Sequence, residues 1–189
     1  MAINYKVCPQ CGSKKYLEIV YGYPGPGLLE EVEQGKIIFG GCCVSDEAPE
    51  YACSDCNKQW SKKEVVDAAY KSIRRIRASV GGYFAPSYNV SVDLVDMKTT
   101  WEEGFQEELQ HIKKISKAEA EDFIIELKFI GLLNWKRKYV NSDILDGTQW
   151  SIDIETDKRK IHKYGSNDFP GHWDTFCSLI ERIVGRPFA

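Results

Sequence analysis

Two Cys-x-x-Cys pairs, Cys8-Pro9-Gln10-Cys11 and Cys53-Ser54-Asp55-Cys56, constrain this chain more than any other feature. Each pair presents two thiolates from one short turn, and two such turns supply the four sulfurs of a tetrahedral structural zinc ion. The residue after the second cysteine of such a turn favours positive φ. Gly12 adopts it without steric cost, and Asn57, in the matching place, tolerates the left-handed region better than most side chains. Cys8, Cys11, Cys53 and Cys56 are therefore expected to bind one zinc ion. Its role is structural, because four protein ligands leave no open position for a substrate. A thioredoxin-type redox pair would need a strand-to-helix context that neither pair has. Trp60 stands where an aromatic ring packs over such a site.

The spacer between the pairs is longer than two knuckles need. It reads as a short strand over Tyr16–Tyr21, a loop punctuated by Gly22, Pro24, Gly25, Pro26 and Gly27, a helical turn over Leu28–Glu33 and a strand over Lys36–Phe39. Gly40-Gly41-Cys42-Cys43 follows. Cys42 and Cys43 can be read as small buried hydrophobes after a glycine turn, as a reactive vicinal pair, or as a replacement ligand. The first reading is favoured because four sulfurs already close the tetrahedron.

Seven cysteines with no apolar segment after Met1-Ala2-Ile3 fit metal binding in a reducing compartment better than a disulfide framework, so a cytoplasmic protein is expected. No run of residues approaches the length and apolarity of a membrane span. A hydrophobic content of 43% and a charged content of 28% are those of a folded globular chain. The net charge of −3 argues against the whole chain binding a polyanion.

The order Cys-Pro-x-Cys-Gly, Tyr21-Gly22-x-Pro24, Gly35-Lys36-x-x-x-Gly40-Gly41-Cys42 and Tyr51-x-Cys53-x-x-Cys56-x-x-x-Trp60 resembles a widespread group of small bacterial zinc-ribbon proteins without an assigned activity. The resemblance covers the first third of the chain. It implies a zinc ribbon over residues 1–62 and a bacterial or phage setting, and it carries no reaction. Asn57 stands where that group usually has glycine.

From Ser61 the pattern becomes helical. Ser61-x-x-Glu64 is a capping box, and Val65, Val66, Ala69, Ile73 and Ile76 recur at the helix period, so a linking helix is expected within residues 63–82, ending at Gly81-Gly82. Arg74, Arg75 and Arg77 then fall at its C-terminal end, where cations suit the helix dipole.

Residues 83–189 are expected to form an α+β domain. Tyr88, Val90, Val92 and Leu94 alternate with polar residues as a strand, with further strands near Thr99–Glu102 and Gln110–Lys113. Glu102, Glu103, Glu107 and Glu108 make an acidic run that reads as a solvated face. Ser116-x-x-Glu119 opens a helix whose apolar stripe is Ala120, Phe123, Ile124, Leu127 and Ile130, with Gly131 as terminator. Trp150, Ile152 and Ile154 alternate after the Asp146-Gly147 turn, and the chain returns through a hairpin on which Lys160, His162 and Tyr164 share a face. A final helix carries Trp173, Phe176, Cys177, Ile180, Ile183 and Val184, with Cys177 as a packed thiol. The expected fold class is α+β: a zinc ribbon, a linking helix, and an antiparallel sheet covered by two helices in a ββαββα order. Asp146-Gly147-Thr148-Gln149-Trp150 with Gly165-Ser166-Asn167, Phe169-Pro170 and Trp173 is similar to the closing half of a small bacterial domain of unknown function, which implies the same layered arrangement and no catalytic residues.

No constellation of catalytic residues is evident. His162, Asn167 and His172 surround Gly165, and an enzyme could use His162 or the Cys42/Cys43 pair, but the spacing alone brings no nucleophile to a base. The favoured expectation is a non-catalytic module that binds a protein partner. The alternative is a nucleic-acid-associated regulator contacting phosphates through the ribbon and Arg74, Arg75 and Arg77.

Overall fold

The computed structural model describes residues 3–23, 25–82, 86–104, 110–143 and 146–189. Pro24 of the punctuated loop and Glu107 and Glu108 of the acidic run lie outside the described residues. The chain divides into two compact units, Ile3–Ala69 and Tyr70–Ala189. Its class is α+β, with four α-helices and two sheets among the described residues.

The first unit contains β1 (Tyr16–Val20), α1 (Pro26–Glu33), β2 (Ile37–Phe39), β3 (Tyr51–Cys53) and β4 (Gln59–Trp60), and most of α2 (Lys62–Lys71). Its sheet has the order β2-β1-β3-β4, parallel between β1 and β2 and antiparallel elsewhere. The parallel pair is possible because α1 supplies the crossover between its strands. The core is small and aromatic: Tyr51 packs between Tyr5, Tyr16 and Trp60, beside the buried Cys8 and Cys53. The Trp60 indole donates to the Tyr5 carbonyl at 2.9 Å, which keeps its one polar group satisfied in that core. So few apolar residues make a marginal core, and cross-links must supplement it.

The helix after Ser61 begins as expected, with the Glu64 N–H donating to the Ser61 hydroxyl at 3.1 Å. It stops at Lys71. Residues Ile73–Gly82 are not helix but a ten-residue strand, β5. Ile73 and Ile76 fit either period, but Ile76, Ala78 and Val80 are buried while Arg77 is exposed, and that alternation belongs to a strand. Pairing on both sides of β5 overrides the local helical pattern. Arg74, Arg75 and Arg77 consequently do not form a basic helix end; they project alternately from a strand.

The second unit adds β6 (Tyr88–Asp93), β7 (Lys98–Glu103), β8 (Gln110–Lys114), α3 (Lys117–Ile130), a short 3-10 turn (Leu132–Asn134), β9 (Lys138–Val140), β10 (Thr148–Thr156), β11 (Lys160–Ser166) and α4 (Trp173–Val184). The expected ββαββα order undercounts the strands. β5 and β9 join the sheet, which has seven strands in the order β8-β7-β6-β5-β10-β11-β9, antiparallel except for β9 against β11. α3 carries both halves of the expected capping box, Ser116 with Glu119, and ends at Gly131 with φ 73°. One sheet face is apolar, with Ile76, Val92, Trp150, Ile152 and Ile154 buried, and α4 packs on β6 and β7 with α3 alongside it. The other face is polar across five strands, β7, β6, β5, β10 and β11. Cross-strand register sets Glu102, Asn89, Ser79, Ser151 and Tyr164 in one row, Thr100, Ser91, Arg77, Asp153 and His162 in the next, and Lys98, Asp93, Arg75, Glu155 and Lys160 in a third.

Candidate metal centre

The two knuckles are the same turn built twice. The Cys8 N–H donates to the Ser13 carbonyl at 2.9 Å and the Gly12 N–H to the Cys8 carbonyl at 3.0 Å; the Cys53 N–H donates to the Lys58 carbonyl at 2.8 Å and the Asn57 N–H to the Cys53 carbonyl at 3.0 Å. Gly12 and Asn57 adopt φ 74° and 58°. The left-handed residue closes each turn and points backbone N–H groups at the sulfurs. Pairing of Tyr16 with Cys53 between β1 and β3 brings the second knuckle against the first. The Ser13 hydroxyl ties them further by donating to Asp55 at 2.6 Å, and Lys15 pairs with Asp55 at 3.6 Å.

The Sγ atoms of Cys8, Cys11, Cys53 and Cys56 all lie within 4.8 Å of one another, with Cys8 to Cys56 at 3.6 Å and Cys11 to Cys53 at 3.5 Å. Four sulfurs around a tetrahedral ion at bonds of about 2.3 Å stand about 3.8 Å apart, so the cluster has the dimensions of a ligand set for one ion. Burial alone would raise the Cys8 pKa, but backbone N–H groups of Cys11 and Gln10 bring it down to about 7. For Cys11 the Ser13 N–H favours the thiolate, yet the neighbouring sulfurs of Cys53 and Cys56 push the pKa up to about 12. Four adjacent thiolates repel, and a dication reverses that repulsion.

Cys42 and Cys43 are both exposed and stand apart from the cluster. Gly40 is bonded to Val20 and Gly41 to Gly22, at the end of β1 opposite Tyr16. Tyr16 and Val20 are separated by about 13 Å at the rise of an extended strand, so neither cysteine joins the cluster of four sulfurs. The reading of the pair as buried hydrophobes is corrected as well, since both side chains face solvent.

His162, Asn167 and His172 have separate surroundings. His162 lies on the open sheet face, with Nδ1 2.7 Å from Asp153 Oδ1 and its ring stacked on Tyr164. Asn167, at φ 54°, donates its N–H to the Thr148 carbonyl at 2.9 Å and closes the end of the β10–β11 hairpin. His172 precedes α4 with its ring against Phe129. Cys177 is buried on α4, and burial raises its thiol to about 12, which leaves it un-ionised and inert.

Arg74, Arg75 and Arg77 are each committed to carboxylates. Arg74 pairs with Asp157, Arg75 with Asp93 and with Glu155 at 3.2 Å, and Arg77 with Glu155 at 3.1 Å.

One buried charge was not anticipated. Lys163 is 0% exposed, and its ammonium donates to the carbonyls of Trp135 at 2.5 Å and Leu133 at 3.4 Å. Strand alternation places position 163 on the apolar face with Ile161, so the signal was present, but the residue type concealed it. Among the described residues no helix is long and apolar enough to cross a membrane. Neither a protein-family model nor a curated protein matches this chain.

Proposed function

We propose that this chain is a zinc-stabilised, non-catalytic module that binds a protein partner. The observation that supports it most is the set of four sulfurs, gathered by two equivalent turns around a space the size of one ion. An all-thiolate tetrahedral set suits zinc or a single iron, and zinc is the redox-inert choice for a closed structural site. Cys8, Cys11, Cys53 and Cys56 would hold it, and the ion would supply the cross-link that the small aromatic core lacks. A reducing compartment keeps such thiols available, which fits a cytoplasmic setting.

The nucleic-acid alternative has weakened support. Arg74, Arg75 and Arg77 would have to give up carboxylate partners to reach phosphates. The test of the proposal is metal analysis of protein purified without added metal, followed by in-cell cross-linking with metal-binding and Cys8→Ser forms. One zinc per chain and a protein cross-link that depends on the metal-bound fold are expected. Iron in place of zinc, or turnover by the purified protein in a hydrolase panel, would contradict it.

A further inference from the structure

The seven cysteines divide three ways in the folded chain. Cys8, Cys11, Cys53 and Cys56 face one another as a ligand set. Cys177 is buried on α4, where burial keeps it a neutral thiol. Cys42 and Cys43 remain. Of the three readings open to that pair, exposure excludes the packed hydrophobe and distance excludes the replacement ligand, which leaves two adjacent thiols open to solvent.

The loop that carries them is anchored at both ends. Before it, the Gly40 N–H donates to the Val20 carbonyl at 2.8 Å and the Gly22 N–H to the Gly41 carbonyl at 2.9 Å. Gly41 adopts φ 98° as the chain leaves β2, a conformation that a side chain would oppose. After the loop, the Tyr21 hydroxyl donates to the Pro49 carbonyl at 2.9 Å and the Ile19 N–H to the Glu50 carbonyl at 2.8 Å. Residues 42–47, between these anchors, are all exposed. Neither Cys42 nor Cys43 has a hydrogen bond or ion pair among the described residues. Two soft, unengaged sulfurs are thus offered by neighbouring residues of one short loop.

Adjacency decides which chemistry suits them. The Cys42–Cys43 peptide is trans, so the two Cα atoms stand about 3.8 Å apart. Disulfides usually join residues whose Cα atoms are about 4.4–6.8 Å apart. A direct sulfur–sulfur bond within the pair is therefore strained and easily reduced. A single soft atom between the sulfurs relieves that conflict, because the sulfurs then stand farther apart than in a disulfide. Trivalent arsenic is such an atom: it prefers sulfur to oxygen, and its hydroxide is uncharged, so the exposed Asp46 and Glu47 on the same loop do not repel it. Once one sulfur is bound, the second closes the ring in an intramolecular step, with an advantage that separate thiols lack.

We infer that Cys42 and Cys43 form a dithiol site for trivalent arsenic compounds, separate from the four-sulfur metal centre. This site goes beyond the partner-binding reading, because it adds a chemical input to the same compact unit. With an aryl dihydroxyarsine, the form that phenylarsine oxide takes in water, two As–O bonds break and two As–S bonds form. The two thiol protons leave with the hydroxyl groups as two molecules of water. Arsenic stays trivalent, so the step needs neither an oxidant nor a reductant. Bridging joins the two side chains and restricts the exposed loop, while the knuckles keep their ion.

The test uses the full, metal-bound chain and phenylarsine oxide. Native mass spectrometry after gel filtration is expected to show one phenylarsenic group per chain, removed by a small competing dithiol and located by digestion on the peptide that holds both cysteines. Cys42→Ser and Cys43→Ser are each expected to weaken binding at least about 100-fold, as loss of the chelate requires. Both substitutions lie at exposed positions, and metal content read in the same spectra reports whether the knuckles are intact. Metal released in step with arsenic uptake would place the arsenic on the knuckles and overturn the inference. So would the absence of an adduct, an adduct that maps to Cys177, or binding unchanged in either serine variant. A second arm replaces the arsenical with oxidised glutathione. Mixed disulfides on single cysteines are expected, and a Cys42–Cys43 disulfide that resists reduced glutathione would refute the argument for a bridging atom.

Discussion

Gly165 on β11 faces Trp150 on β10 so closely that a Cβ added to it would overlap the indole ring, and would also lie 2.7 Å from the Asp168 carbonyl. The same indole donates its N–H to that carbonyl at 2.9 Å. A parallel relation holds one turn away, where a Cβ on Gly147 would overlap the Asn167 amide. The glycines of Asp146-Gly147 and Gly165-Ser166-Asn167 are thus explained by close packing at one end of the hairpin, with no catalytic role required. Gly165→Ala is expected to destabilise the C-terminal unit by about 1–3 kcal/mol, because a rigid ring and a backbone carbonyl must shift to admit the methyl group. Urea unfolding followed by tryptophan fluorescence measures this; a midpoint equal to wild type would refute the packing account.

Metal removal should act on one unit only. Binding free energy of about 10–16 kcal/mol for a structural zinc exceeds what so small an aromatic core contributes, so Cys8→Ser or a strong chelator should unfold Ile3–Ala69. Calorimetry is expected to lose one transition while keeping that of Tyr70–Ala189. Cys42→Ser and Cys43→Ser should leave the zinc content unchanged, and reduced zinc in either variant would show that the cluster is incomplete without them.

The buried amine of Lys163 makes an alkaline signature. Burial, with the nearby Arg159 charge adding to it, lowers its pKa from 10.5 to about 8. Between those values the unfolded chain binds more protons than the folded one, so stability rises with pH. The contribution is complete above 10.5 and is lost as the pH falls through about 8. Lys163→Met, which follows the unbranched lysine stem to within one atom but carries no charge, is expected to lack this rise. The difference in urea midpoint between the two proteins, followed from pH 7.5 to about 10.5, gives the comparison; a difference that stays constant would show that the amine does not titrate there.

Asp93 supplies an acid counterpart. Its burial favours the neutral acid, but the backbone N–H of Asp96, the Arg75 guanidinium and the N–H of Val95 together hold its pKa below the ordinary 3.8. Its stabilisation is present above 3.8 and is lost as the pH falls through the lower folded-state value. Asp93→Asn is expected to cost about 1–3 kcal/mol at neutral pH by leaving Arg75 without its most buried partner. The variant should also lose less stability on acidification than wild type does. Parallel acid titrations by circular dichroism would reject this if both proteins lost stability equally.

The cysteine spacing and the Gly12/Asn57 correspondence single out the same four cysteines that the fold gathers, because a chelating turn is a local object whose geometry is written in a few adjacent residues. The capping box of α3, the hairpin of β10 and β11 and the apolar stripe of α4 were legible for the same reason: each follows from a short period or a turn signal. β5 was not. Ile73 and Ile76 suit a helix as well as a strand, and only hydrogen bonding to β6 and β10, partners distant in sequence, decides between them. That decision moved Arg74, Arg75 and Arg77 from a supposed basic helix end into ion pairs with Asp157, Asp93 and Glu155. Tertiary structure alone also buried Lys163 against two carbonyls and set the Phe129 ring of α3 against that of His172 before α4. Sequence determines what a residue can do with its neighbours along the chain; which distant groups it meets depends on how whole elements pack, and that is a property of the folded molecule.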